Sequence, residues 1–206
     1  MNIRKLLALL VSGAVILSFA GCSSNNGSSV SDSSASETTS APAQTTLVPD
    51  NSNDEFVSGY PAFAVTSNSL TGNFWSDITS NTTRGKNASP DLSWEPVEGA
   101  SCYAIYMVDL STHYFLHWVQ GDIKETSLPQ GFAGSKYYIG MYPPAGDTHV
   151  YNVYVFALKN PVERVKGSVN AISPKFPDFI KALDTDKDGN TGNIISVGKV
   201  SAKFTG

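Results

Sequence analysis

From Val150 to Leu158 the chain alternates so that His149, Tyr151, Val153 and Val155 fall on one side of an extended strand, and Val150, Asn152, Tyr154 and Phe156 on the other. Neither side is polar throughout, which predicts a strand inside a sheet. Cys102 to Asp109 and Leu116 to Ile123 read as two further strands, with shorter ones at Ala62 to Thr66, Leu92 to Trp94, Tyr137 to Ile139 and Ile194 to Phe204. Plain alternation in Leu116 to Ile123 puts His117 and Val119 on one face and Leu116 and Trp118 on the other. Asp109 ends an apolar run, and a carboxylate at a strand tip commonly faces a loop crevice. Helical spacing occurs late, where Phe176, Phe179, Ile180 and Leu183 recur three and four residues apart and Pro177 suits a first turn. Several strands with turn signals and one late helix argue an antiparallel sandwich or barrel rather than alternating β/α units.

The first apolar run has a different character. Arg4 and Lys5 precede Leu6 to Ala20, fifteen residues without charge, and Gly21-Cys22 follows at once. That run is shorter than the roughly twenty residues a membrane-spanning helix needs, so residues 1–21 are expected to be an export signal. Phe19-Ala20-Gly21-Cys22 resembles a bacterial lipobox, which implies a diacylglyceryl group on Cys22 and a mature chain starting there. Ser23 to Asn53 hold ten Ser and four Thr, with no aromatic residue, Lys or Arg. Such a segment buries too little apolar surface to offset its ordering entropy, so residues 22–53 are expected to be a disordered tether with a reach of about 30 Å. Two acyl chains on one cysteine give stable membrane anchoring. The expected location is therefore outside the cytoplasm on a bacterial membrane, with residues 54–206 as one folded domain.

Removing Arg4 and Lys5 leaves 14 − 2 = 12 basic residues against 18 acids, a formal net charge of −6. A nucleic-acid partner is disfavoured, because phosphate neutralisation needs clustered cations. With Cys22 modified, Cys102 has no disulfide partner and the domain depends on its core. The histidines are His113, His117 and His149. His113 and His117 are four apart, a spacing that suits a metal on a helix, but the residues between them read as a loop entering a strand. No Gly-x-Ser-x-Gly motif and no glycine-rich phosphate loop is present, and no cofactor is expected.

The stretch Asn87 to Trp94, then Ile105 to Asp109, His117-Trp118, and Tyr138 to Gly146 running on to His149-Val150-Tyr151 and Phe156-Ala157-Leu158 resembles the phosphatidylethanolamine-binding protein family. The bacterial Raf-kinase-inhibitor-like branch is the nearest match, over about residues 60 to 206. The resemblance implies an antiparallel β-sandwich with a small pocket at one end, which in relatives binds phosphate-like anions and phospholipid head groups. Asp109 matches the first acid of the family's Asp-Pro-Asp stretch, and His117 the histidine before Trp. Gly140 with Pro143-Pro144 matches the pocket wall, and His149 and Tyr151 match the ends of His-Arg-Tyr. Departures are Ser111 for the second acid, Met141 for the first proline of the wall and Val150 for the arginine. The implied ligand is small and anionic or zwitterionic, and binding of an anion is expected to follow histidine protonation near the ordinary pKa of about 6.5.

Asp184, Asp186 and Asp188 before Gly189 resemble the start of a calcium loop, but Ile195 stands where the closing Glu belongs, so a solvated turn is expected and no metal. Two functions fit. One is a binding or inhibitory module, since some eukaryotic relatives bind kinases or inhibit serine peptidases. The other is an enzyme using Asp109, His117 and His149 in acid-base chemistry. The binding module is the preferred expectation, with no catalytic residue assigned.

Overall fold

The computed structural model describes residues 49–206. The expected export signal, the expected lipid attachment at Cys22 and the expected tether as far as residue 48 lie outside the described residues. The strands are β1 (Ala62–Phe63), β2 (Val65–Thr66), β3 (Leu70–Thr71), β4 (Phe74–Trp75), β5 (Leu92–Trp94), β6 (Cys102–Asp109), β7 (Phe115–Ile123), β8 (Ser127–Leu128), β9 (Thr148–Leu158), β10 (Ala171–Ile172) and β11 (Ile194–Thr205). The helices are α1 (Gly134–Tyr137) and α2 (Phe176–Leu183).

The large sheet runs β10-β7-β6-β9-β11-β4-β3, with β1 also paired to β11, and a small sheet runs β2-β5-β8. β6, β7, β9 and β11 pair antiparallel, whereas β1 and β4 lie parallel to β11. Neither sheet closes on itself, and together they form the mainly β sandwich with a short late helix.

The interior position predicted for β9 is met, because it lies between β6 and β11. Its alternation divides the core in two. Tyr151, Val153 and Val155 join Ile105, Met107, Trp118, Leu92 and Leu128 between the sheets, while Tyr154 and Phe156 join Tyr106, Val108 and Leu116 under α2. Burial on both faces is why all eight residues of β6 are buried. α2 begins with Pro177 in its first turn and buries Phe176, Ile180 and Leu183 on the second core, each worth about 1.5–3 kcal/mol. Asp184 then ends the helix, its carboxylate accepting from the amides of Gly192 and Ile194.

Three expectations change. Tyr137 to Ile139 is not a strand: α1 ends at Tyr137, and Tyr138 makes a single bridge to Trp118. His117 does not face away from Trp118. Met107 pairs with Trp118 and Val108 with Leu116, so His117 is an extra residue, a β-bulge in β7. The bulge returns His117 to the side of Trp118, and its ring centroid lies 5.2 Å from that of Tyr151. The folded boundary drawn at Asp54 also falls late, since Asn51 is buried and its Nδ2 donates to Val197 O at 3.0 Å and to Tyr60 O at 3.3 Å. Asp54 is buried too, paired with Lys199 at 2.8 Å.

Candidate functional site

The β6–β9 register sets Asp109 directly opposite Tyr151. Both share the parity of Met107 and Val153, so they project at the end of the inter-sheet core, with His149 one step further along β9. The bulge delivers His117 to the same place. Asp109, His117, Pro143, Pro144, His149 and Tyr151 line one cavity of about 340 Å3. Thr112, Phe115, Tyr142 and Ile172 complete it.

Gly140 is not in that lining. It stands behind the wall, where its amide donates to Asn87 Oδ1 at 2.5 Å and a Cβ would meet Ser80 C, Asn81 N and Thr79 O, each at 2.5 Å. Close backbone approach, rather than ligand contact, requires glycine here. The wall is also held by Asn81 N donating to Met141 O at 2.9 Å, with the Met141 side chain fully buried in the core. Pro143 and Pro144 follow trans peptide bonds.

Asp109 is buried, and both oxygens of its carboxylate accept hydrogen bonds. Oδ1 accepts from the Ser111 amide at 2.7 Å, and Oδ2 accepts from Thr112 Oγ1 at 3.2 Å and from His149 Nδ1 at 2.7 Å. These bonds fix the His149 ring with Nε2 as its remaining nitrogen. His117 is 2% exposed and its Nδ1 lies 2.9 Å from Ile139 O. A carbonyl only accepts, so Nδ1 carries the proton and Nε2 keeps a lone pair. Burial lowers the His117 pKa to about 4 against the opposing pull of the Ile139 carbonyl, so the ring is neutral near pH 7. Desolvation thus takes His117 below the range near pH 6.5 in which histidine protonation is expected to govern anion binding. Burial, and then the charge of Asp109, raise the Tyr151 pKa, so its phenol stays protonated.

The departures from the family pattern fall outside the lining. Ser111 Oγ accepts the Val150 amide at 3.0 Å and ties the β6–β7 loop to β9. Val150 alternates onto the other side of β9 from His149 and Tyr151, beside Lys203 in the ladder. Position 150 therefore does not contribute to the lining.

Sequence reasoning missed Thr112, Phe115, Tyr142 and Ile172. Tyr142 is 40% exposed and donates to Asn170 Oδ1 at 2.8 Å, and Ile172 is 55% exposed. Phe115 had a signal, since it continues the Leu116 strand by one residue; Ile172 had none, because its place depends on β10 pairing with β7. His113 is absent from the lining and has a left-handed φ of 45° in the β6–β7 loop, followed by Tyr114 at 59°.

The aspartate turn forms a separate feature. Asp186 Oδ1 accepts the amides of Asp188 and Asn190, and its Oδ2 accepts from Asn160 and Asn190 side chains. Asp188 pairs with Lys187 at 2.9 Å. The carboxylates thus shape the turn by accepting from their own neighbours. Among the described residues no cluster of three or more His, Cys, Asp or Glu is arranged to hold a metal.

A family model described as phosphatidylethanolamine-binding protein matches residues 65–194. No curated protein matches the chain. Among solved structures, E. coli YbcL, described as a new member of the mammalian PEBP family, is similar with a TM-score of 0.53 and 24% identity over 69% of this chain and 98% of that one. CT736 of Chlamydia trachomatis, described as a phosphatidylethanolamine-binding protein homolog, is similar with a TM-score of 0.51 and 19% identity over 70% of this chain and 98% of that one.

Proposed function

Since the chain belongs to the phosphatidylethanolamine-binding protein family, we propose that it is a membrane-tethered, extracytoplasmic binding module whose cavity receives a small head-group-like ligand, zwitterionic or anionic. The observation that carries this reading is the cavity itself. Its volume, about 340 Å3, suits a small molecule, and apolar walls surround convergent polar groups of His117, His149 and Tyr151. The lipobox-like Phe19-Ala20-Gly21-Cys22 and the Ser/Thr-rich stretch after it support the tether. Exposed Tyr142 and Ile172 at the mouth offer a surface through which a protein partner could be inhibited.

Acid-base catalysis is the second reading, favoured by one observation. Asp109 holds His149 Nδ1 at 2.7 Å, an arrangement that fixes a tautomer and leaves Nε2 to take a proton. Binding is the stronger reading because Thr112 Oγ1, the hydroxyl that reaches His149, meets Nδ1 at 3.3 Å, the nitrogen already facing Asp109. A nucleophilic hydroxyl would need to meet Nε2.

The test is calorimetric titration of phosphoethanolamine into the full chain in detergent, for wild type, His149→Ala and Tyr151→Phe. Saturable binding, weakened by about tenfold or more in His149→Ala, is expected for loss of a hydrogen bond inside an apolar cavity. Equal binding by all three proteins would place the ligand elsewhere. Breakdown of phosphoethanolamine during the titration, followed by NMR, would instead favour the enzyme reading.

A further inference from the structure

Two of the lining residues, Thr112 and Phe115, are the ends of a single four-residue turn. The Phe115 amide donates to Thr112 O at 3.1 Å, and the two residues between them, His113 and Tyr114, have left-handed φ of 45° and 59°. A tight hairpin turn of this hand is ordinarily built from Asn-Gly, because a bulky side chain resists that region. A strained turn of this kind persists only where its surroundings hold it.

His113 is exposed, so the hold falls to Thr112 and Tyr114. Thr112 Oγ1 donates to Asp109 Oδ2 at 3.2 Å. The Tyr114 ring meets that of Phe56 edge to face at 5.2 Å and lies 6.4 Å from that of Phe176, which is fully buried at the start of α2. Phe56 itself comes from the segment ahead of β1. Its amide donates to Asp54 Oδ1 at 3.0 Å, and Asp54 Oδ2 accepts from Lys199 Nζ at 2.8 Å and from the Tyr154 hydroxyl at 3.1 Å. Contact therefore runs from β11 through Asp54 and Phe56 to Tyr114, and along the turn to Thr112 and Phe115 in the cavity wall.

We infer that Phe56 is a positioning residue for the cavity, acting through Tyr114. The ring pair keeps the strained turn closed and so keeps Thr112 and Phe115 where a ligand meets them. This rests on the reading of the cavity as the ligand site. Linkage makes the effect reciprocal, so a ligand in the cavity tightens the hold on residues 54–60. Glycine at 114 adopts a left-handed φ freely, and releases the turn from its dependence on Phe56.

The experiment titrates phosphoethanolamine by calorimetry into the full chain in detergent. The proteins are wild type, His149→Ala, Phe56→Leu, Tyr114→Phe, Tyr114→Gly and the double variant of Phe56→Leu with Tyr114→Gly. Phe56→Leu keeps the apolar bulk and loses the ring edge, and should weaken binding about fivefold, the low end of coupling between linked sites. Tyr114→Phe should bind as wild type does. Adding Phe56→Leu to Tyr114→Gly should weaken binding no further, since the path between the two is already cut. Hydrogen exchange gives a readout that a purely stabilising role would not move. Saturating phosphoethanolamine should slow the Phe56, Ser58 and Tyr60 amides, which donate within the segment, by a similar factor in wild type and not in Tyr114→Gly. Wild-type binding that Phe56→Leu leaves unchanged, with those amides indifferent to the ligand, would overturn the inference and leave the cavity as the site. Failure of phosphoethanolamine to bind wild type, or binding that His149→Ala leaves intact, would remove the cavity as the site and the inference with it.

Discussion

His117 shows how one ring is set by its surroundings: a bulge aims it, the Ile139 carbonyl selects its tautomer, and burial lowers its pKa to about 4. In an unfolded chain the same imidazole titrates near about 6.5. The unfolded state therefore binds more protons between these values. The stability associated with a neutral His117 is whole above about pH 6.5 and is lost as pH falls toward about 4, in full about 3 kcal/mol. Urea unfolding near pH 7 and near pH 4 should show this acid loss in wild type and a shallower loss in His117→Gln. Parallel pH slopes would contradict the assignment. At this scale the sequence exposed part of the cavity lining, His149 and Tyr151 by strand parity and Asp109 by its place at a strand tip and in the family motif. His117 was named through the family motif, but its direction was hidden: a bulge depends on how β6 registers against β7.

Among the elements, β6, β9, β11, β5 and α2 were legible to within a residue or two because each buries apolar side chains at its own period. The parallel pairing of β1 and β4 with β11 was not, since two-residue strands carry no period. Tyr137 to Ile139 misled through aromatic and β-branched composition; hydrogen bonding of the Tyr138 amide to Gly134 O closes α1 instead. The wall after it gives an element-scale prediction. Gly140→Ala places a methyl 2.5 Å from three backbone atoms of residues 79–81, so that segment must move. Thermal unfolding should show a loss of about 1–3 kcal/mol, and weaker phosphoethanolamine binding should accompany it, since the wall carries Pro143 and Pro144. An unchanged melting temperature would show that the segment yields freely.

At the scale of the whole molecule, the start and the end of the folded region meet on one strand. Asn51 and Asp54 attach to β11 at Val197 and Lys199, and β1 pairs with β11 at Val197 and Gly198. Ahead of this lies the proposed anchor. Intact-mass measurement of membrane-extracted protein should find a diacylglyceryl adduct on a chain beginning at Cys22, and Cys22→Ala should abolish it. An unmodified terminus further along the chain would contradict the proposal.

Where the leading segment is fastened also has a mechanical consequence. A pull arriving along the chain from residue 48 first loads the clips of Asn51 and Asp54, which sit on β11 rather than on an outer strand. β11 is flanked by β9 along nearly its whole length and by β1 and β4 on its other edge. The clips and the two-residue β1 are what yields first, while β11 itself stays held along both edges. A pull from that side therefore peels the leading segment away before it reaches the long ladder of β9 and β11.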